Sequence, residues 1–228
     1  MPIHFLTGAT SGIGSALARA LHGRGDELLL LARNDERAAE LAAEFPGAST
    51  VVGDLEHPES LAESVGERMP TRLDSVLHVA GVVDLGPVSA LPSAVWRRTL
   101  AVNLEAPAEL TRLALPALRE ASGRVVFVNS GAGLNASPQW GAYAASKFGL
   151  RALADSLRAE EREAGVRVTS VYPGRTATPM QQRVHEQEGA DYDDADWIRP
   201  ESVVTAVLTA LDLPRDADLT ELRVRPGR

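Results

Sequence analysis

Short apolar and β-branched runs alternate along this chain with longer runs in which apolar positions recur at helical spacing. The short runs predict strands over residues 3–7, 27–32, 49–53, 75–79, 124–129, 167–171 and 220–224. The longer runs predict helices over residues 12–21, 35–45, 59–68, 93–118, 142–163 and 200–211. Pro92 and Ser93 open the fourth helix, Gly123 follows it, and Gly165 closes the fifth. Alternating strands and helices imply an α/β fold: a doubly wound, seven-stranded, mostly parallel sheet with helices on both faces. Runs such as Leu28-Leu29-Leu30-Leu31 and Val125-Val126-Phe127-Val128 are apolar on both sides, as strands covered on both faces should be. The stretch 175–199 lacks a regular pattern and reads as a substrate lid with a short helix of its own. The last strand ends at Pro226, as suits a sheet edge.

Composition narrows the functional classes. A length of 228 residues fits a single domain, 1–228. Aromatics make up only 4%, so the core must be built mostly of Ala, Leu and Val. A net charge of −8 argues against nucleic acid as a partner. The absence of cysteine excludes disulfides, thiolate nucleophiles and Cys-bound metals. Histidines at 4, 22, 57, 78 and 185 lack zinc spacing. Asp191, Asp193, Asp194 and Asp196 lack the glycine and terminal Glu of a calcium loop, so no metal is expected and the lid reads as a solvated acidic segment. That acidity weakly disfavours anionic substrates. Neither a signal sequence nor a membrane-length apolar run is visible, which leaves a cytoplasmic location and no membrane partner as the expectation.

The first strand runs into Thr7-Gly8-Ala9-Thr10-Ser11-Gly12-Ile13-Gly14 and then a helix. Glycines at 8, 12 and 14 allow a tight turn and close approach of a ligand. The helix that follows directs free N–H groups and its positive end at the same place, which suits a pyrophosphate. A bare strand–helix turn would also use these glycines; the position after the first strand of a doubly wound sheet favours a ligand. The second strand ends Leu31-Ala32-Arg33-Asn34. An acid here would bond a ribose 2′-hydroxyl, whereas Arg33 can clasp a 2′-phosphate with parallel hydrogen bonds. NADP(H) is therefore expected over NAD, although Ser11 leaves the glycine loop without a basic residue.

Tyr143-Ala144-Ala145-Ser146-Lys147 opens the fifth helix, and residues four apart share a helix face. A phenol ordinarily titrates near ~10, and bringing it to about 7 takes about 4 kcal/mol. A nearby ammonium together with an oxidised nicotinamide could supply that. Ser130 follows the fifth strand, where its hydroxyl could bond a substrate oxygen.

With Thr7-Gly8-x-x-x-Gly12-Ile13-Gly14, Ser130, Tyr143-x-x-x-Lys147, Pro173-Gly174 and Thr178-Pro179-Met180 in this order, the chain resembles the short-chain dehydrogenase/reductase family, on a Rossmann-type fold. The resemblance implies that Tyr143 exchanges the proton with the carbonyl or alcohol oxygen. It implies that Lys147 lowers the pKa of Tyr143 and holds the nicotinamide ribose, and that Ser130 orients the substrate. Asn103 would bend the fourth helix and hold a relay water behind Lys147. It assigns cofactor contacts to Gly8, Thr10, Ser11, Gly12, Ile13, Gly14, Arg33, Asp54, Leu55, Ala80, Gly81, Tyr143, Lys147, Pro173, Gly174, Thr176 and Thr178. It further implies a homodimer or homotetramer built on the fourth and fifth helices. The expected activity is hydride transfer between NADPH and a small carbonyl/secondary alcohol substrate. A non-catalytic dinucleotide sensor is the alternative; a nucleotide-sugar epimerase would need a longer C-terminal part. One departure stands out: the family's Asn-Asn-Ala-Gly after the fourth strand reads His78-Val79-Ala80-Gly81, with His78 expected as a partly buried strand residue. Met180, Trp140 and Trp197 are the expected apolar walls of the substrate pocket.

Overall fold

The computed structural model describes residues 1–227. Seven strands form one sheet: β1 (Ile3–Thr7), β2 (Glu27–Ala32), β3 (Ser49–Val52), β4 (Ser75–His78), β5 (Arg124–Val128), β6 (Arg167–Pro173) and β7 (Glu221–Val224). Their order is β3-β2-β1-β4-β5-β6-β7, and every neighbouring pair is parallel. Eight α-helices accompany them among the described residues: α1 (Gly12–Gly23), α2 (Asp35–Glu44), α3 (Leu61–Val65), α4 (Ser93–Leu100), α5 (Ala106–Ala121), α6 (Gly141–Glu160), α7 (Pro179–Glu188) and α8 (Pro200–Asp212).

The doubly apolar strands feed two cores, because successive side chains leave opposite faces of a strand. Phe5, Leu29, Val76, Val125 and Phe127 pack against Leu110 and Ala114 of α5 and Leu150 and Ala154 of α6. Their neighbours Leu6, Leu28, Leu30, Leu77 and Val126 pack on the other face, against Leu17 and Leu21 of α1 and Val203 and Val207 of α8. The strand order reverses between β1 and β4. There the connections leave the sheet in opposite directions and open a crevice at the carboxyl ends of the strands, where doubly wound folds hold ligands.

Three elements differ from the expected pattern. The helix expected over 59–68 is only one short α-helical segment, α3, flanked by 3-10 turns at Pro58–Ser60 and Gly66–Arg68. The helix expected over 93–118 is broken into α4 and α5 by a π-helical turn at Ala101–Glu105. Pro107, in the first turn of α5, has no N–H to give to the carbonyl of Asn103, so regular i→i−4 bonding cannot run through this point. β6 runs on to Pro173, which pairs with Val224. The 175–199 stretch contains the expected short helix, α7, capped by the Thr178 hydroxyl, which accepts from the Gln181 amide at 3.2 Å.

His78 is fully rather than partly buried. Its ring stacks on Phe127 with centroids 5.0 Å apart, and Nε2 lies 2.9 Å from the Thr111 hydroxyl. Burial alone pushes its pKa down to about 3. Between about pH 6.5, where an unfolded histidine gains its proton, and about pH 3, the unfolded chain binds a proton that the folded one refuses. Stability must therefore fall as pH drops through this window, by up to about 1.4 kcal/mol per pH unit from this residue. Urea denaturation between pH 7 and pH 4 should show a shallower acid loss in His78→Asn than in the parent; equal slopes would contradict this account.

Candidate active site

The crevice is a cleft of about 580 Å³. The loop after β1 forms one wall, and it can do so because two positions carry no side chain. Gly8 has φ +80°, and a Cβ there would lie 2.8 Å from the Ala80 nitrogen. A Cβ on Gly14 would lie 2.0 Å from the Gly8 carbonyl oxygen. The side chain of Ser11, the N-cap of α1, makes no capping bond, and the first turn contains no acid. The free amides of that turn are thus left for an anion. The geometry fits the pyrophosphate of a dinucleotide lying across the β1–β4 switch point.

The opposite wall carries the reactive side chains. Tyr143 and Lys147 stand one turn apart on α6 and are both buried. The Lys147 ammonium lies 5.8 Å from the Tyr143 ring centroid and donates to the Val128 carbonyl at 3.0 Å. Burial lowers its pKa to about 8. Ser130, just beyond β5, caps a 3-10 turn by accepting from the Ala132 amide at 3.1 Å. Its hydroxyl also favours the ionised form of the Tyr143 phenol. Burial raises the phenol's pKa, and Ser130 opposes that only in part. The expected lowering by Lys147 is not what the protein alone produces: desolvation is the largest effect on Tyr143, and the ammonium is directed at a backbone carbonyl. Tyr143 is accordingly a protonated acid at neutral pH.

Asn103 lies in the π-helical turn, behind the cleft wall. Its Oδ1 accepts from the Val82 amide at 2.8 Å, and its Nδ2 donates to the Val82 carbonyl at 2.9 Å and to the Ser146 hydroxyl at 3.0 Å. Ser146 in turn donates to the Tyr143 carbonyl at 2.7 Å.

Of the residues expected to touch a cofactor, Gly8, Thr10, Ser11, Gly12, Ile13, Gly14, Ala80, Gly81, Pro173, Gly174, Thr176 and Thr178 line the cleft together with Ser130, Tyr143 and Lys147. Arg33, Asp54 and Leu55 do not line it. Arg33 is exposed just past β2, Asp54 accepts from the Glu56 amide at 3.0 Å, and Leu55 packs on the core. Trp140 and Met180 are cleft walls as expected, whereas Trp197 is not. Its ring instead packs on His185 with centroids 5.0 Å apart, beneath the Arg175 guanidinium.

Three supporting residues escaped the sequence reading. Asn129 binds α6 to β5, its Nδ2 donating to the Lys147 carbonyl at 3.1 Å and its Oδ1 accepting from the Ser130 amide at 2.8 Å. Thr7 accepts from the amides of Val79 and Ala80 at 3.1 and 3.2 Å, which supports the segment where the family's asparagines are missing. Ser146 joins Asn103 to α6. A neighbouring Asn-Ser pair at a strand end was the only available signal for Asn129, and nothing marked Ser146 or Thr7 as joints.

Residues 3–189 match the family model for short chain dehydrogenases, and the chain belongs to that family. Among curated relatives, the uncharacterized oxidoreductase YciK of Escherichia coli K12 is 36% identical over 190 residues, covering 78% of this chain and 75% of YciK. A metagenomic short-chain oxidoreductase solved in complex with NADP is 30% identical with a TM-score of 0.82, covering 100% of this chain and 98% of that one. The alcohol dehydrogenase of the archaeon Thermococcus sibiricus, solved with 5-hydroxy-NADP, is 27% identical with a TM-score of 0.84, covering 100% and 97%. This chain is thus an oxidoreductase of the short-chain dehydrogenase/reductase family.

Replacing Asn103 by Ala leaves the partly buried Val82 amide and carbonyl without their partner and removes one of the two bonds of the buried Ser146 hydroxyl. Such groups cost about 1–3 kcal/mol each when orphaned, so Asn103→Ala should lower the melting temperature by several degrees. An unchanged thermal midpoint would show that the π-helical turn does not depend on this side chain.

Proposed function

We propose that the protein is an NADP(H)-dependent oxidoreductase that moves a hydride between nicotinamide and a carbonyl/secondary alcohol pair, with Tyr143 as general acid/base. The observation that carries this reading is a buried Tyr143, one turn from Lys147 and lining with Ser130 a cleft whose other wall is a glycine loop that can take a pyrophosphate. The dinucleotide, when bound, would supply or accept the hydride. The chain's own residues do the rest. Ser130 and Tyr143 present two hydroxyls to one substrate oxygen. Tyr143 gives its phenolic proton to that oxygen as negative charge develops on it, and Ser130 holds the oxygen in line. Lys147, buried and cationic at neutral pH, then stabilises the phenolate. Burial favours the neutral phenol, which suits reduction as the working direction.

Two features support NADP(H) over NAD(H). Both solved relatives described above carry an NADP-type cofactor by name. Arg33 is exposed beyond β2 and has no ion pair among the described residues, which leaves its fork free for a 2′-phosphate. We further propose a homodimer or homotetramer packed through the α4–α5 and α6 faces, where Phe148 of α6 is exposed. No helix among the described residues is long and apolar enough to cross a membrane.

Tyr143→Phe should abolish carbonyl-dependent NADPH oxidation, by about a thousandfold or more, and leave NADPH affinity within a few-fold of the parent. Undiminished turnover would refute the role, and a chain without turnover in either form would be a dinucleotide sensor. Arg33→Ala should weaken NADPH binding about tenfold with little effect on NADH. Calorimetric titration with both cofactors checks this, and equal losses for the two would return the preference to NAD(P) without discrimination.

A further inference from the structure

The cleft has two ends of different chemistry. The end beside β1 is mostly backbone and glycine, and the end beyond Tyr143 is apolar side chain. There Val83, Tyr143 and Val184 form a small buried cluster with Trp140 and Met180 against it. The Trp140 ring meets the Tyr143 ring edge-on, with centroids 5.7 Å apart. Lys147 and Arg175 are the charged residues that line the cleft among the described residues, and no carboxylate does; Glu188, His185 and Trp197, which hold the Arg175 guanidinium, do not line it. Lys147 is committed to the Val128 carbonyl on the cleft floor. Arg175 is therefore the cation that an acid group on a substrate would meet.

That guanidinium is already taken. Nη1 and Nη2 donate to the two oxygens of Glu188 at 2.7 and 2.6 Å. Its plane lies over the Trp197 ring, 5.6 Å from the centroid, and Nη1 is 3.4 Å from Nε2 of His185. Glu188 closes α7, and the Arg175 fork beside it holds its carboxyl below the usual carboxylate range, so the pair is ionised and jointly neutral at physiological pH. A two-point bond between a guanidinium and a carboxylate is the same bond by which an arginine would recognise a substrate acid. Glu188, one turn beyond the cleft-lining Val184 on α7, takes up that fork outside the cleft lining. An anionic substrate would have to leave its hydration at an apolar wall without a cation in exchange, or else expel Glu188 and leave that carboxylate unpaired.

We propose that Glu188 is a specificity-determining residue: by occupying Arg175 it makes the substrate end of the cleft neutral and apolar, so that the enzyme takes uncharged alkyl- or aryl-bearing carbonyl compounds and rejects oxo acids. The proposal rests on the oxidoreductase reading given above. It concerns selectivity alone, because neither residue touches the reacting atoms.

The test compares benzylacetone with the oxo acid in which a carboxylate replaces its methyl group, using NADPH consumption by the parent, by Glu188→Gln, and by Arg175→Gln combined with Glu188→Gln. The parent should favour benzylacetone in kcat/KM by about tenfold or more. Glu188→Gln should narrow that ratio about tenfold, through a lower KM for the oxo acid, because it frees the fork. The double variant, with both charges gone, should return to the parent's preference. Quenching of tryptophan fluorescence by phenylbutyrate reads the same switch without turnover, with tighter binding expected only in Glu188→Gln. A parent that turns over both compounds equally would overturn the proposal. So would a Glu188→Gln variant that depresses both substrates alike, as a merely structural latch on α7 would. Absence of turnover with every carbonyl tried would overturn the oxidoreductase reading as well, and it differs recognisably from an unmoved ratio.

Discussion

The site depends on keeping an ammonium group buried. Lys147 is only 3% exposed, and taking such a charge out of water is costly unless polar partners surround it. The protein supplies one partner, the Val128 carbonyl at the end of β5, and fixes the lysine's own backbone by a bond from Asn129 to its carbonyl. Both attachments come from the same strand end. The position of the cation is thus set by the packing of α6 on the sheet, not by the flexible side chain. The same strand end places Ser130, and the same helix places Tyr143, so one helix–strand contact determines three reactive groups together. The lowered pKa of Lys147 measures the tension in this arrangement: the group remains charged at neutral pH but by a narrow margin.

The second anchor is Asn103. From the π-helical turn, where Pro107 withholds an N–H, its side-chain amide offers both edges to the Val82 backbone. Through Ser146 the same amide reaches the Tyr143 carbonyl. A local helical defect thereby supports the first turn of α6, which carries Tyr143.

Strand and helix positions were legible in the sequence because their causes are local: Leu28–Leu31 is apolar on both faces whatever surrounds it, and glycines at 8 and 14 permit a backbone approach that nothing else would. The residues that were misread depend on distant partners. Trp197 lies beside the lid in sequence, yet its ring is held by His185 and Arg175, and no spacing rule predicts that. The Tyr143–Lys147 spacing placed the two correctly on one face but could not show that burial outweighs the lysine's charge, since burial belongs to the assembled cleft. Where the family's asparagines are replaced by His78 and Val79, Thr7 accepts from the amides of Val79 and Ala80, and His78 is a core residue stacked on Phe127, partners that no local pattern reveals. The π-helical turn hid because Pro107 is equally compatible with a first helical turn and with an interior break.

The electrostatics of the cleft follow from the same separation of roles. The surface carries the chain's excess of acid, with a net charge of −8, yet no carboxylate lines the cleft among the described residues. Surface charge beyond a Debye length is screened, so it cannot decide what binds; groups inside a partly desolvated cleft are screened far less. Selectivity must then come from the few polar groups at the wall. Arg175 joins the end of β6 to α7 through Glu188, so this ion pair ties α7 to the sheet. The Arg175–Glu188 pair thus joins a cleft-lining residue to α7 in a single interaction, and a change in either residue alters that attachment.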